Sequence, residues 1–250
     1  YQNTYGIEIS TSRVKEAVQV LQGHFVSKEA EYQKYCQIDI LENDPAGMIK
    51  RLQSYTERLT HIPFYTQVED IIKVGIARYK EKYLPGIKSE DPFVLYEKYS
   101  RRDVSLLMNC GKDLSSIMYG MKRIENDVFI FITYHKEESQ DEKNYVDGKP
   151  DYADAFEDNL IFKWDSQIGK GLDSSYMKDV LGADRKHLFV KKSDAETSFY
   201  YMGQFDVLEA RNAQKEDNRG RMQPITKVTM KMHHAVREDL LRYLQSHITA

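Results

Sequence analysis

The chain has 250 residues, 41% of them hydrophobic, which allows one large or two ordinary domains with a buried core. It contains no apolar run long enough to span a bilayer and no leader pattern, which argues against a membrane or secreted protein. The formal net charge of −3 excludes a globally basic nucleic-acid binder, so any anion-binding surface has to be local.

Cysteine usage points to a reducing compartment. Cys36 and Cys110 are far apart in sequence and neither has a second thiol nearby, so we expect free thiols and a cytoplasmic protein. The sequence begins at Tyr1 without a methionine, from which we expect a fragment of a longer protein.

The first third of the chain has a helical pattern. Four apolar stripes at helical spacing are predicted, running from Val14 to Leu21 after a Ser12 N-cap, from Tyr32 to Leu41, from Met48 to Leu59, and from Val68 to Tyr83. Short polar turns between them indicate a small helical bundle, interpreted as a spacer or docking module. The Pro- and Gly-containing break at 85–92 is the best boundary, which predicts a helical domain over 1–88 and a second domain over 92–250.

The second domain opens with a short predicted helix from Ser100 to Met108, in which Ser100 and Asp103 have the spacing of a capping-box variant. Arg101 and Arg102 lie in its first turn, where the helix dipole disfavours cations. An acidic neighbour or a bound phosphate could compensate them.

Beyond Gly111 the apolar period changes to two, which indicates strands. About six are predicted, at 117–121, 128–134, 160–164, 188–190, 199–207 and 225–232. They predict a curved antiparallel sheet or small barrel, against which a C-terminal helix from Ala235 to Ser246 packs. The predicted fold class is therefore α+β.

Sequence motifs for catalysis are missing. The chain has no P-loop, dinucleotide fingerprint, nucleophile elbow, HExxH or CxxC spacing, and its seven histidines are scattered or adjacent. The carboxylates of Asp151, Asp154 and Asp158 are clustered, but the following strand has no acidic residue two before Lys163, so a divalent-metal nuclease is a weak alternative.

Basic residues are concentrated late in the chain. They flank strands rich in aromatic residues, including Phe199, Tyr200 and Tyr201, and phosphate-binding cations beside stacking rings are what a nucleic-acid reader needs. With the pair in the short helix, the cations predicted to contact a DNA backbone are Arg101, Arg102, Arg185, Lys186, Lys191, Lys192, Arg219, Arg221 and Lys227.

An ordered set of short motifs from Tyr99 to the C-terminus carries a family resemblance. The motifs are Tyr99-Ser-Arg-Arg-Asp, Ile117-Met-Tyr-Gly-Met-Lys, Val128-Phe-Ile-Phe-Ile-Thr-Tyr, Tyr152-x-Asp-x-Phe, Phe162-Lys-Trp-Asp-Ser-Gln, Leu188-Phe-Val-Lys-Lys and Phe199-Tyr-Tyr-Met-Gly. Together they resemble the C-terminal domain of unknown function that follows a phospholipase-D-like nuclease and a superfamily-2 helicase in bacterial restriction-type proteins.

The resemblance implies a type IV, modification-dependent restriction enzyme in which a helical coupler joins the motor to an SRA-like (or PUA-like) target-recognition domain. SRA-like domains read 5-methylcytosine by extruding it from the duplex. The expected partners are double-stranded DNA carrying 5-methyl- or 5-hydroxymethylcytosine and the helicase and nuclease domains of the same parent chain. ATP and magnesium would be needed by those domains, whereas this fragment is expected to be a binding module without catalysis, cofactor or metal.

A flipped cytosine needs an acceptor for its amine, aromatic plates and an apolar notch for the methyl group. One loop and strand supply those residue types, so we expect Asp154 to accept from the amine and Tyr152 and Trp164 to stack or line the notch. Ser166 and Gln167 would complete the edge or fill the vacated duplex space, and Tyr119 is a second candidate wall. The structural alternative makes Trp164 a core residue and Ser166-Gln167 a strand end.

A competing interpretation makes the β domain a protein-docking module of the helicase–nuclease without base-specific readout. Salt-dependent DNA binding separates the two, because a reader that neutralises several phosphates loses affinity steeply as salt rises. The nuclease alternative instead predicts magnesium-dependent cleavage by the fragment.

Overall fold

The chain folds into two units, one formed by Tyr1–Val94 with Arg101–Ser116 and the other by Leu95–Ser100 with Ile117–Ala250. The computed structural model describes residues 10–26, 30, 34, 39–43, 49–83, 92–135, 145–146, 149–150, 154–217 and 219–246. Both helices and strands are present in quantity and largely segregated, so the fold class is α+β.

The first unit is mainly helical but contains a hairpin. Its elements are α1 (Thr11–Leu21), β1 (Leu41–Asn43), β2 (Ile49–Arg51), α2 (Gln53–Leu59), α3 (Ile62–Tyr83) and α4 (Arg101–Leu107). The predicted cap of α1 was wrong by two residues, because Ser10 accepts from the Arg13 amide at 3.3 Å and Ser12 lies inside the helix.

The second and third predicted helices differ from the structure. Leu41 belongs to a strand, since β1 pairs antiparallel with β2 and Glu42 forms an ion pair with Lys50 at 3.3 Å. Of the second predicted stripe, Tyr32 to Leu41, only Lys34 and residues 39–41 are described, and Met48 of the third stripe also lies outside the described residues. Pro63 occupies the first turn of α3, where its missing N–H costs nothing, and the break falls at Thr60 and His61 instead.

The second unit is built on one large sheet. Its strands are β3 (Lys98–Tyr99), β4 (Met121–Ile124), β5 (Asp127–His135), β8 (Ala155–Phe156), β9 (Ile161–Asp165), β10 (Arg185–Ser193), β11 (Phe199–Glu216) and β12 (Met222–Met232), and β6 (Tyr145–Val146) and β7 (Lys149–Pro150) form a separate hairpin. The order is β4-β5-β10-β11-β12-β9-β8, with β3 added beside β11.

The sheet is mixed and open, whereas the sequence predicts a curved antiparallel sheet or small barrel. β5 and β10 run parallel from Arg185 beside Asp127 to Ser193 beside His135, while the other pairs are antiparallel. Within the described residues the edge strands β4 and β8 do not pair with each other. The expected strand at 117–121 is also absent, because Ser115–Ile117 form a 3₁₀ turn and Gly120 takes φ +73° before β4 begins.

One hydrophobic core cluster lies on one face of this sheet. Val128, Ile130 and Ile132 of the central strand β5 point into it, and Asp127 to Ile132 is buried throughout, as expected for a strand covered on both faces. Two helices complete this layer, α5 (Ser175–Leu181) through Met177 and α6 (Glu238–Gln245) through Leu240 and Leu244. The α5 helix was not predicted, and α6 begins three residues later than expected.

Candidate nucleic-acid interface

Asp154 is the first described residue before β8, and its side chain is buried at 8% exposure. Its Oδ1 accepts a hydrogen bond from the Asp165 amide at 2.9 Å, which ties the segment entering β8 to the end of β9. The structure therefore gives this carboxylate a fixed position next to the sheet. Tyr152, its predicted stacking neighbour, lies outside the described residues.

Trp164 points from β9 into the core beside Phe162 and is 4% exposed. Its ring centroid lies 6.3 Å from that of Tyr176 on α5, with the rings tilted by 31°. This geometry favours the structural interpretation of the tryptophan, as a wall of the core rather than an open stacking plate.

The hydroxyl of Ser166 is fully used within the protein. It accepts from the Thr226 amide at 2.8 Å and donates to the Lys170 carbonyl at 2.6 Å, and the residue is 5% exposed. These bonds hold the loop after β9 against β12, which favours the strand-end interpretation over a contact to a base.

Gln167 and Tyr119 meet at the surface. The side-chain amide of Gln167 donates to the Tyr119 carbonyl at 3.3 Å, and the Tyr119 ring is 65% exposed. Gly120 takes φ +73°, and a Cβ there would lie 2.6 Å from Gln167 Nε2 and 3.4 Å from the Tyr176 hydroxyl. The positive φ favours glycine at this position, and a side chain here would have to displace the end of Gln167.

Tyr176 is the residue that sequence reasoning missed. It sits in the seven-residue helix α5, whose N-cap Ser174 accepts from the Met177 amide at 3.3 Å. Burial and then the charge of Asp154 raise the pKa of the Tyr176 hydroxyl well above its ordinary value. Two sequence signals could have indicated this helix: Ser174 at its N-cap and Gly182 after its last turn.

Most of the cations predicted to contact a DNA backbone have partners inside the protein. Arg185 binds Asp127 through two hydrogen bonds of 2.7 Å, and Asp127 is only 3% exposed. Loss of this pair would leave the buried Asp127 carboxylate uncompensated. A phosphate contact by Arg185 stays a prediction, and it requires that Arg185 keeps its bonds to Asp127. In the first unit, Arg102 pairs with Asp113 at 2.8 Å, which is the acidic compensation considered for this helix, and Arg101 precedes it in α4.

The lysines of β10 are also engaged. Lys186 donates to the Ala183 carbonyl at 2.6 Å, Lys191 lies 3.2 Å from the Asp194 carboxylate, and Lys192 donates to the Ser246 hydroxyl at 2.6 Å. The Lys192 ammonium also stands 4.7 Å from the centre of the Tyr243 ring. These residues are half-buried, and their aliphatic stems contribute to packing.

The hairpin formed by β11 and β12 carries two exposed cations of the predicted set, Arg219 and Arg221. Arg219 is exposed at its turn, and Arg221 binds Asp217 through bonds of 2.9 and 2.8 Å, which hold the pKa of Asp217 at about 2. Lys227 lies 3.7 Å from the Asp165 carboxylate, on the outer face of the sheet. That face lines an open groove of about 430 Å³ in which acidic and basic groups alternate.

No group of three or more metal-binding side chains occurs among the described residues. Of the predicted carboxylate cluster, Asp151 lies outside them, and Asp158 accepts from the Leu160 and Ile161 amides at 2.7 and 2.6 Å, which fixes the turn before β9. Nor does any described helix have the length and apolarity needed to cross a bilayer.

Comparisons with known proteins give a family but no activity. A family model described as a domain of unknown function (DUF8090) matches residues 1–83, and a search of curated proteins found no match. Arabidopsis thaliana SUVH6, solved in complex with SAM, matches at 12% identity over 94% of this chain and 42% of its own, with a TM-score of 0.37, too low to establish a common fold. A second family model, described as a domain of unknown function (DUF3427), matches residues 93–244, and because this is more than half of the chain, the chain belongs to that family.

Proposed function

We propose that the chain recognises modified cytosine, 5-methyl or 5-hydroxymethyl, in double-stranded DNA by extruding the base into a pocket next to Asp154. In this proposal it is the SRA-like target-recognition part of an ATP-dependent type IV restriction enzyme. The chain itself catalyses no reaction, and ATP and magnesium serve the helicase and nuclease domains of the parent protein.

The buried carboxylate of Asp154 is the observation that carries the proposal. A carboxylate at 8% exposure needs hydrogen-bond donors, and Asp165 supplies one from its backbone at 2.9 Å. The exocyclic amine of cytosine is a donor that a carboxylate accepts from, and it is presented on the Watson–Crick edge once the base leaves the duplex.

The surroundings of Asp154 supply aromatic surface for the base. The half-buried ring of Tyr176 stands 6.3 Å from the buried Trp164 ring, and the charge of Asp154 acts on the Tyr176 hydroxyl. Flat rings bind a base at little entropic cost, and an apolar surface beside them accommodates a methyl group. The exposed ring of Tyr119 is a further surface on which a base can stack.

The test is a fluorescence-anisotropy titration of this chain with matched duplexes carrying cytosine, 5-methylcytosine or 5-hydroxymethylcytosine at one position. We expect tighter binding to a modified duplex. Asp154→Asn keeps an oxygen for the Asp165 amide but presents a donor to the amine, so it should reduce the preference about tenfold.

Glu209→Gln is the matched control, because it neutralises an exposed carboxylate on the outer face of β11. Equal binding of the unsubstituted chain to all duplexes would contradict the function. A preference that survives Asp154→Asn would contradict the role of this carboxylate while leaving the function in place.

A second candidate, docking to the helicase and nuclease domains of the parent chain, is favoured by α3. From Ile71 to Glu81 every residue of this helix is exposed, including Ile71 at 71%, Ile72 at 55% and Ile76 at 49%. A helix exposed on all sides is marginal by itself, and a large exposed apolar patch marks an interaction site.

Replacing Ile72 and Ile76 together by Lys separates the two candidates. We expect the variant to bind DNA unchanged and to lose binding to the separately expressed nuclease–helicase portion, whereas replacement of exposed Gln67 by Lys should affect neither. Undiminished association with the motor portion would contradict docking through α3.

A further inference from the structure

The hydroxyl of Tyr176 is buried and has no hydrogen-bond partner in the described structure. Buried hydroxyls in folded proteins are almost always hydrogen-bonded, because an unpaired one has lost its bonds to water without replacing them. The ring around it is only half-buried, so the helix could have carried phenylalanine here without loss. The unpaired hydroxyl at this position therefore indicates that a bound ligand supplies its hydrogen-bond partner.

The hydroxyl remains protonated throughout the neutral range. Burial and the nearby carboxylate of Asp154 both raise the pKa of Tyr176. It is thus available as a donor, while the Asp154 carboxylate, which also accepts from the Asp165 amide at 2.9 Å, is an acceptor. A ligand that satisfies both needs a donor and an acceptor close together on one edge.

Gly120 and the side chain of Gln167 lie beside the hydroxyl. A Cβ at this position would lie 3.4 Å from the Tyr176 hydroxyl oxygen, and the positive φ of +73° disfavours any other residue. The side chain of Gln167 covers this space, with its Nε2 2.6 Å from where that Cβ would be. Gln167 is exposed and its bond to the Tyr119 carbonyl is long, at 3.3 Å, so a ligand can displace it at low cost.

We propose that Tyr176 determines base specificity, its hydroxyl donating to the ring acceptor of an extruded cytosine while Asp154 accepts from the exocyclic amine. The inference rests on the proposed function and deepens it. Cytosine carries an acceptor nitrogen beside its amine, whereas thymine carries an N–H beside a carbonyl. The pair Tyr176–Asp154 therefore matches cytosine and opposes thymine at both positions, so that the 5-methyl group alone is not enough for binding.

The test compares duplexes carrying 5-methylcytosine or thymine at the same position, each opposite an abasic site so that neither base has to break a pair. The unsubstituted chain is expected to prefer 5-methylcytosine. Tyr176→Phe keeps the ring beside Trp164 and removes the donor, which should reduce that preference about two- to tenfold. Tyr243→Phe is the control, because it removes a hydroxyl that binds Glu196 at 2.9 Å on another part of the sheet unit.

A melting measurement provides a readout that a purely structural role would not give. Removing an unpaired buried hydroxyl should leave the melting temperature of Tyr176→Phe unchanged or raise it, while the base preference falls. If the unsubstituted chain prefers 5-methylcytosine and Tyr176→Phe retains the full preference, the inference is overturned and the proposed function stands. If the unsubstituted chain does not distinguish modified from unmodified duplexes, the proposed function fails, and the inference with it.

Discussion

Glu196 joins three parts of the sheet unit through one carboxylate. It accepts hydrogen bonds from Lys98 Nζ at 2.8 Å, from the Lys192 amide at 2.8 Å and from the Tyr243 hydroxyl at 2.9 Å. Burial alone would raise the pKa of Glu196, but these bonds more than offset it, so its pKa lies below the ordinary value of 4.5. Because the folded pKa is depressed, the stabilisation is present above pH 4.5 and is lost as the pH falls through the folded value.

We therefore expect Glu196→Gln to lower the free energy of unfolding at pH 7 by about 1 kcal/mol, since Lys98 is partly exposed and solvent screens the pair. The difference from the unsubstituted chain should shrink as the pH is lowered below 4.5, which urea denaturation at several pH values measures. Glu238→Gln is the control, because it removes an exposed carboxylate that pairs with Arg242. A difference that grows towards acid pH would contradict this account.

The residues of the candidate site show what residue chemistry can and cannot predict. Asp154 and Trp164 could be selected because a carboxylate and an indole are rare neighbours in one short segment. The contacts of Ser166 could not be anticipated, because its partners Thr226 and Lys170 are brought to it by the register of β9 and β12. Tyr176 escaped notice because a helix of seven residues has too few turns to show an apolar period.

At the scale of elements, the hairpin of β11 and β12 reaches beyond its neighbours. The two strands pair from Phe205 beside Met232 to Glu216 beside Met222, but β9 accompanies β12 only between Lys227 and Lys231. The far part of this hairpin, residues 211–223, contains four arginines and lysines against two acidic residues. A projecting basic hairpin suits contacts to a phosphate backbone, which give affinity without sequence information.

Replacing Arg211, Lys215 and Arg219 together by Gln is expected to weaken binding to modified and unmodified duplexes by the same factor. The slope of log affinity against log salt should fall by about 0.9 for each phosphate that the variant no longer neutralises, which anisotropy titrations at several salt concentrations measure. Arg242→Gln in α6 removes an exposed cation that pairs with Glu238 and should leave the slope unchanged. An altered preference for the modified base at constant slope would contradict a backbone role for the hairpin.

The elements predicted least well are strands that form because they pair with a neighbouring strand, and not because of their own amino-acid composition. The second half of β11, Leu208 to Glu216, is polar and does not alternate, so the strand was expected to end at Val207. It continues because its backbone pairs with β12 across a bulge at Leu208. The same cause converts Leu41 to a strand, since cross-strand pairing overrides a helical spacing of apolar residues.

For the whole molecule, the two units do not follow the sequence in two simple halves. The segment Arg101–Ser116, which lies within the DUF3427 match, belongs to the same unit as the N-terminal helices. The Asp113 amide donates to the Phe25 carbonyl at 2.9 Å, and Phe25 and Val104 are 6% and 0% exposed. The composition-based boundary near residue 90 stays a prediction, and a cut there would remove the Phe25 carbonyl to which the Asp113 amide donates.

We expect a fragment of residues 92–250 to keep the strand signal of the sheet unit but to unfold at lower urea concentration than the whole chain. The reason is that Arg101–Ser116 loses the rest of its unit, including the Phe25 carbonyl that binds the Asp113 amide, and uncovered apolar surface destabilises and promotes association. Phe25→Ala in the whole chain should reproduce part of the loss, about 3 kcal/mol in the free energy of unfolding of the first unit. Urea denaturation followed by circular dichroism, with size-exclusion chromatography for association, measures both. Identical midpoints and a monomeric fragment would mean that Arg101–Ser116 needs no cover from the N-terminal residues, and that the two family matches correspond to separately folding domains.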